Sequence, residues 1–251
     1  MAVSIDTVYQ RVLAIANKEQ RGYITPQEFN LFANQAQMDV FEQYFYDYNQ
    51  FGRAPGNDTL YSDMLDILES KIDLFQRYNE EIIPSTIFGD FNLSLIDDFY
   101  RFNTVRVKYS SNLNLVEAEK VRIKDLTTYG ISPLTRPTRP RPHYVVYPAK
   151  DSDGIHNVQR IKIYPYPSLT EKAYVSYIAK PQKVVWGYTM VGDNALYNEA
   201  STATFNFQLH VSEENNLVMK ILALAGISIK DPTVYQAASA EENKSIQQQK
   251  Q

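Results

Sequence analysis

The spacing of apolar residues changes near residue 100, and that change restricts the fold more than any motif in the chain. Upstream the period is helical. Ile5, Val8, Val12 and Ala16 share one face of a first helix, with Ser4 or Asp6 as its cap. Arg21-Gly22-Tyr23 interrupts it. Thr25-Pro26-Gln27-Glu28 then marks a second start, with Thr at the cap, Pro at the first helical position and Glu reaching back. Phe29, Phe32, Ala33, Ala36, Val40 and Tyr44 form the inward stripe of this helix. From Pro26 to Tyr48 it would be on the order of 35 Å long. Gly52–Asn57 has the turn chemistry of a loop, and Leu65, Leu68, Ile72 and Phe75 place a third helix between Tyr61 and Tyr78.

Downstream the period falls to two. Val105, Val107 and Tyr109 alternate with Arg106 and Lys108, as in a half-buried strand. Tyr144–Tyr147 and Val158–Tyr164 flank the turn Lys150–Gly154 and read as a hairpin. Ala173–Ile178 is a further strand with Tyr174 and Tyr177 on opposite faces, and Lys183–Trp186 reads as a short edge strand after Pro181. Phe205–Leu209 alternates again and leads to a helix over Ser212–Ala225, ended by Gly226, with a last helical segment after Asp231-Pro232. Glu241–Gln251 is polar, Gln-rich and without an apolar stripe, so it is expected to be loose on its own. The predicted class is α+β: N- and C-terminal helices forming a bundle, with a central antiparallel β-domain. The divisions are an N-terminal helical part (1–100), a β-domain (101–210) and a C-terminal helix and tail (211–251) that returns to the helical part. No alternation of strand and helix suggests a parallel nucleotide-binding sheet.

Composition narrows the function classes. The chain of 251 residues has a 44% hydrophobic and a 22% charged share, those of an ordinary globular chain. A net charge of −4 leaves no global basic field to draw it to nucleic acid or anionic lipid. Zero cysteines exclude disulfides and thiolate chemistry. There is no secretory leader pattern and no apolar run near the roughly 18 residues of a spanning helix. The expectation is a soluble protein made in a cytoplasm, with no membrane partner. The 19 tyrosines serve either a β-rich core or subunit boundaries, since tyrosine joins a broad apolar face to a polar tip.

Local signals for catalysis are missing. His143, His156 and His210 have no second ligand at metal spacing, and Asp151-Ser152-Asp153-Gly154 opens like a calcium loop but lacks its closing Glu. Asp97-Asp98 and Glu80-Glu81 are adjacent pairs whose side chains diverge on a strand or a helix, whereas an acid and base pair must converge. No catalytic residue, cofactor or metal is expected, and the chain is read as not an enzyme.

The segment that stands out is Pro133–His143, with four prolines in ten residues. Fixed φ angles favour an extended, polyproline-like path outside any sheet interior, from which Arg136, Arg139 and Arg141 project. It could be a ligand for a proline-binding domain, a phosphate-binding strap, or a structural strap whose arginines meet carboxylates of a neighbouring subunit. The last suits an acidic chain best.

Several segments, taken in order, resemble virion proteins of tailed bacteriophages. They are Gly22–Asn30 with Asn34–Gln37, Ser132–Thr138, Ile161–Pro165, Val175–Trp186, and Asn216–Ile227 with Asp231-Pro232 and Tyr235. The likeness is to the neck proteins of podovirus-like phages, including the crAss-like group: adaptor or ring proteins of the tail tubular protein A type. That resemblance implies a virion protein assembled in the host bacterial cytoplasm as a ring of twelve copies coaxial with the portal. Its partners would be the portal protein, further ring or tail proteins, and genomic DNA passing through the lumen without sequence-specific binding. It also implies no catalytic residues. Contact residues would then include Arg136, Arg139, Arg141, Tyr235, Gln247 and Gln251, the last two in a tail that orders on the portal or a neighbour. Other readings are a different tail, collar or baseplate component, or a DNA-contacting head-closure factor. A polysaccharide-binding module would rest on the aromatics, though the single Trp186 sits in the Pro181–Trp186 segment that the resemblance already accounts for. If copies flank one another, many tyrosines belong at subunit boundaries.

Overall fold

A computed structural model describes residues 2–18, 24–53, 59–82, 90–93, 96–109, 114–150, 157–168, 171–192, 194–199, 204–229 and 240. In chain order the elements are β1 (Ala2–Val3), α1 (Ile5–Lys18), α2 (Pro26–Arg53), α3 (Thr59–Asp73), β2 (Gln76–Ile82), β3 (Asp90–Asn92), β4 (Phe99–Lys108) and β5 (Val116–Lys120). They continue with α4 (Ile123–Ile131), β6 (His143–Lys150), β7 (Asn157–Tyr164), β8 (Lys172–Ala179), β9 (Tyr188–Val191), β10 (Asn194–Tyr197), β11 (Phe207–His210) and α5 (Glu214–Ile229). The class is α+β. The chain divides into two units, one of residues 1–74 with 181–251 and one of residues 75–180.

In the first unit α2 packs against α3 and α5, and α5 against α1. The start of α2 is the predicted capping box. The Thr25 N–H donates to Glu28 Oε2 at 3.0 Å, and the Glu28 N–H donates back to Thr25 Oγ1 at 3.3 Å. These bonds satisfy donors that a helix start leaves open, and the Thr25 N–H and hydroxyl, both donating to Glu28 Oε2, hold the Glu28 carboxyl below its ordinary pKa. Ser4, rather than Asp6, caps α1 through a 3.5 Å contact from the Thr7 N–H. The stripe Phe29, Ala33, Ala36, Val40 and Tyr44 is buried, as are Val8 and Val12. Lys71 on α3 meets the buried Glu213 at 2.7 Å, which Asn216 also approaches at 3.1 Å.

The second unit is a seven-stranded sheet in the order β2-β8-β4-β5-β6-β7-β3. Its neighbours run antiparallel except β5 and β6, which are parallel through Glu119↔His143 and Lys120↔Tyr144. Val105, Val107, Tyr109, Ala173, Val175, Tyr177, Ile161 and Ile163 fill one core together with Phe91 and Tyr144. The alternation of Val105 and Val107 with charged neighbours is thus the inward face of β4. Tyr177 is buried and Tyr174 half-buried, on opposite faces of β8. The predicted hairpin is β6 with β7, registered through Tyr144↔Ile163 and Val146↔Ile161.

Several boundaries differ from the sequence reading. The third helix stops at Asp73, and Gln76–Ile82 joins β8 as a strand instead of continuing to Tyr78. That moves the division from residue 100 to residue 75. Pro181 onward groups with the helices, not with the β-domain, and side chains of α2 hold the backbone of Gln182, Val184, Trp186 and Gln208. α2 runs on to Arg53, and α5 passes through the buried Gly226 to Ile229, so the roughly 1 kcal/mol helix penalty of glycine does not end the helix there. Tyr235, Gln247, Gln251, the segment after Pro232, His156 and the turn at 151–154 lie outside the described residues.

Candidate interaction surfaces

The proline-rich segment does not follow an extended path. The Arg136 N–H donates to the Ser132 carbonyl at 2.9 Å and the Thr135 hydroxyl to the Tyr129 carbonyl at 3.1 Å, so the chain folds back on the end of α4. Thr138 and Arg141 then exchange both backbone hydrogen bonds, at 3.1 and 2.9 Å, around Arg139-Pro140. Proline is compatible with this tight turn because the two donors it needs belong to Thr138 and Arg141. The Pro142 carbonyl accepts from the Glu119 N–H at 2.9 Å, which carries the segment into β6. The proline content predicts stiffness along a line, whereas the fixed φ values serve successive turns.

The three arginines part ways. Arg139 lies 3.8 Å from Glu171 and 5.8 Å from the centroid of the Tyr109 ring, so its partners are in its own chain. Burial, then the Glu171 charge, push the Tyr109 hydroxyl well above its ordinary pKa, with Arg139 opposing. Arg136 and Arg141 are exposed and have no ion pair among the described residues. Beside them stands α4, which sequence reasoning missed. Tyr129 rests its ring edge on the buried His143, 5.7 Å between centroids, yet no residue of α4 is buried. Ile123 and Ile131, eight residues apart, fall on one helical face with Lys124. Ile131 is 79% exposed and Leu134 91%, so an apolar face rimmed by basic residues stands open to solvent. Ile123, Leu126 and Tyr129 carried a helical period that could have revealed it.

Two segments that carry the resemblance to neck proteins, Asn30–Gln37 and Gln182–Trp186, meet within the first unit. Asn30 accepts from the Trp186 N–H at 2.8 Å and donates to the Trp186 carbonyl at 3.5 Å. Asn34 accepts from the Val184 N–H at 3.0 Å and donates to its carbonyl at 2.8 Å. Gln37 donates to the Gln182 carbonyl at 2.8 Å and accepts from the Gln208 N–H at 3.1 Å. The geometry has a simple origin. Four helical residues rise about 6 Å, and two extended residues rise about 6.6 Å, so amides one turn apart on α2 match alternate peptide groups of an extended chain. The other edge of that chain bonds Phe205, through the Val185 N–H and carbonyl at 3.2 and 3.0 Å. The expected edge strand at Lys183–Trp186 is therefore flanked on both sides, by one peptide and by one helix face.

Trp186 is only 1% exposed, stacks with Tyr188 and Tyr197, and donates from Nε1 to Asp6 Oδ1 at 3.0 Å. Its packing in the core removes the basis for reading it as a sugar platform. The tyrosines divide: Tyr9, Tyr44, Tyr109, Tyr144 and Tyr177 are buried, while Tyr46, Tyr48, Tyr78, Tyr100, Tyr129 and Tyr166 are exposed. Core packing, one of the two uses weighed from the sequence, is therefore present.

The remaining polar groups hold structure together. Glu80 accepts from the Tyr177 hydroxyl at 3.0 Å while Glu81 pairs with Lys172 at 2.8 Å, so the adjacent glutamates diverge. Asp98 Oδ1 lies 2.9 Å from the same hydroxyl, so Glu80 and Asp98 compete for its single proton. His210 accepts the Ser212 N–H at 3.3 Å at the entry to the turn before α5. Among the described residues no three His, Asp or Glu side chains are grouped to hold a metal ion, and no helix is long and apolar enough to cross a membrane. No protein-family model matches the chain, and no curated protein is detectably similar to it.

Proposed function

We propose that this chain is a structural virion protein, a subunit of an oligomeric ring in a phage neck that joins the portal to the tail and continues the DNA channel. The observation that carries this reading is the open apolar and basic face of α4 and the following turns. A helix with Ile123 and Ile131 in solvent gains nothing from folding onto its own unit at those positions, and such a face is typical of a surface that another molecule covers. The ordered segments that resemble neck proteins add to it, and two of them, Asn30–Gln37 and Gln182–Trp186, are the halves of one internal joint. The copy number of twelve comes from the resemblance. The test is electron microscopy of the purified protein with and without portal rings. Rings coaxial with the portal are expected, and a monomer that never decorates portal overturns the reading.

A second reading, a DNA-contacting head-closure factor, is favoured by one observation: Arg136 and Arg141 are exposed and unpaired among the described residues. Salt-dependent binding of duplex DNA by the purified protein, lost on replacing both by Ala, supports it, and absence of such binding favours plain architecture.

A further inference from the structure

We infer that the apolar and basic face of α4 and its turns docks on the exposed face of α3 of a second copy of this chain, head to tail. The inference deepens the proposed ring by naming its two contact faces, and it rests on the reading that copies of the chain assemble with one another. Along α3 and the residue after it, Asp66 and Asp73, and Ile67 and Leu74, recur at seven-residue spacing, with Ser70 between them, on the side opposite the buried Leu68 and Ile72. Asp66, Ile67, Asp73 and Leu74 are all exposed, and Glu69 flanks them. The stripe offers two aliphatic side chains and three carboxylates. The α4 face offers three aliphatic side chains, Ile123, Ile131 and Leu134, with the opposite charge on Lys124, Arg136 and Arg141.

The charge of the whole units points the same way. Residues 75–180 hold 15 basic and 11 acidic side chains, a net of +4, whereas residues 1–74 with 181–251 hold 10 basic and 18 acidic, a net of −8. A contact of the α4 face with its own copy would bring like arginines together, which is repulsive, and it leaves α3 uncovered. A contact of α4 on α3 pairs unlike charges and uses two different surfaces. Such a heterologous contact repeats from copy to copy and closes a ring when the rotation allows it.

The absence of cysteine makes the test direct. Leu134→Cys and Ile67→Cys each introduce the only thiol of the chain at an exposed position. Under mild oxidation each variant alone is expected to remain uncrosslinked, and an equal mixture is expected to give a disulfide-linked dimer. The yield should fall several-fold on raising salt from 0.05 to about 0.5 M. Adding Arg136→Glu and Arg141→Glu to the Leu134→Cys chain should lower the yield about tenfold. Adding Asp66→Lys and Asp73→Lys to its partner should restore it. Crosslinked dimers of one variant alone, or an uncrosslinked mixture, overturn the inference. Sedimentation of the wild-type chain separates the two failures: an assembling protein whose mixture does not crosslink loses these faces but keeps the ring. A wild type that stays monomeric, alone and with portal, loses the ring as well.

Discussion

Single side chains here do the work that a neighbouring strand would otherwise do. Asn34 satisfies both polar groups of the buried Val184, so Asn34→Leu leaves a donor and an acceptor without water or partner. The expected cost is about 3 kcal/mol, read as a lower urea midpoint at unchanged slope. Tyrosines carry a pH dependence whose sign can be stated. Burial, then the hydrogen bond to Asp90 and its charge, push Tyr147 up to about 12, and burial raises Tyr44, Tyr109 and Tyr177 as well. An unfolded tyrosine ionises near pH 10, roughly. The folded chain therefore holds these protons more tightly than the unfolded one. Stability is full below about pH 10 and is lost as pH rises toward the folded values. Urea midpoints measured from pH 8 to 11 should decline at the alkaline end, and Tyr147→Phe should make that decline shallower.

At the scale of elements, the α2 start illustrates what a sequence can disclose. Thr25, Pro26 and Glu28 act within one turn, so their order alone predicts the bonds that form. Thr25→Ala should lower stability by about 1 kcal/mol in thermal or denaturant unfolding, while Thr25→Ser should cost little. The β4 alternation and the β6–β7 hairpin were legible for the same reason, since their pattern is local and one face is buried. Other elements depend on what lies far away in the chain. Gln76–Ile82 shows no clean alternation, and its positive-φ Asn79 (φ 52°) marks a register shift that β8 accommodates with a 3.2 Å bond from the Asn79 N–H to Ser176. α4 escaped notice because its apolar side chains do not line a core of this chain. Asn30, Asn34 and Gln37 look like ordinary polar positions on α2 until Gln182–Trp186 is laid against them. Of the candidate contact residues, Arg136, Arg139 and Arg141 are all exposed, and Arg139 has in addition a partner in Glu171 of its own chain.

For the whole molecule, the second unit is an insertion into the first. The Ala179 N–H donates to the Phe75 carbonyl at 2.8 Å, so the chain enters and leaves the β unit at adjacent points. The unit has its own buried core, from Ile82 and Phe91 to Ala179. Expressed alone, residues 75–180 should give a sheet-type circular dichroism spectrum and a cooperative thermal transition. A featureless melt would contradict this. An excised unit that folds would also let its net positive charge be studied apart from the rest.

The side-chain amides of α2 have a further consequence, in the rate at which backbone protons trade with deuterium. Val184, Val185 and Trp186 lie in no named strand, yet their N–H groups donate alternately to Asn34, to Phe205 and to Asn30. In deuterated solvent a stretch that a ribbon drawing renders as loop should keep its protons as long as the centre of α2 does. Loss of Asn34 should release Val184 first, before any helix opens.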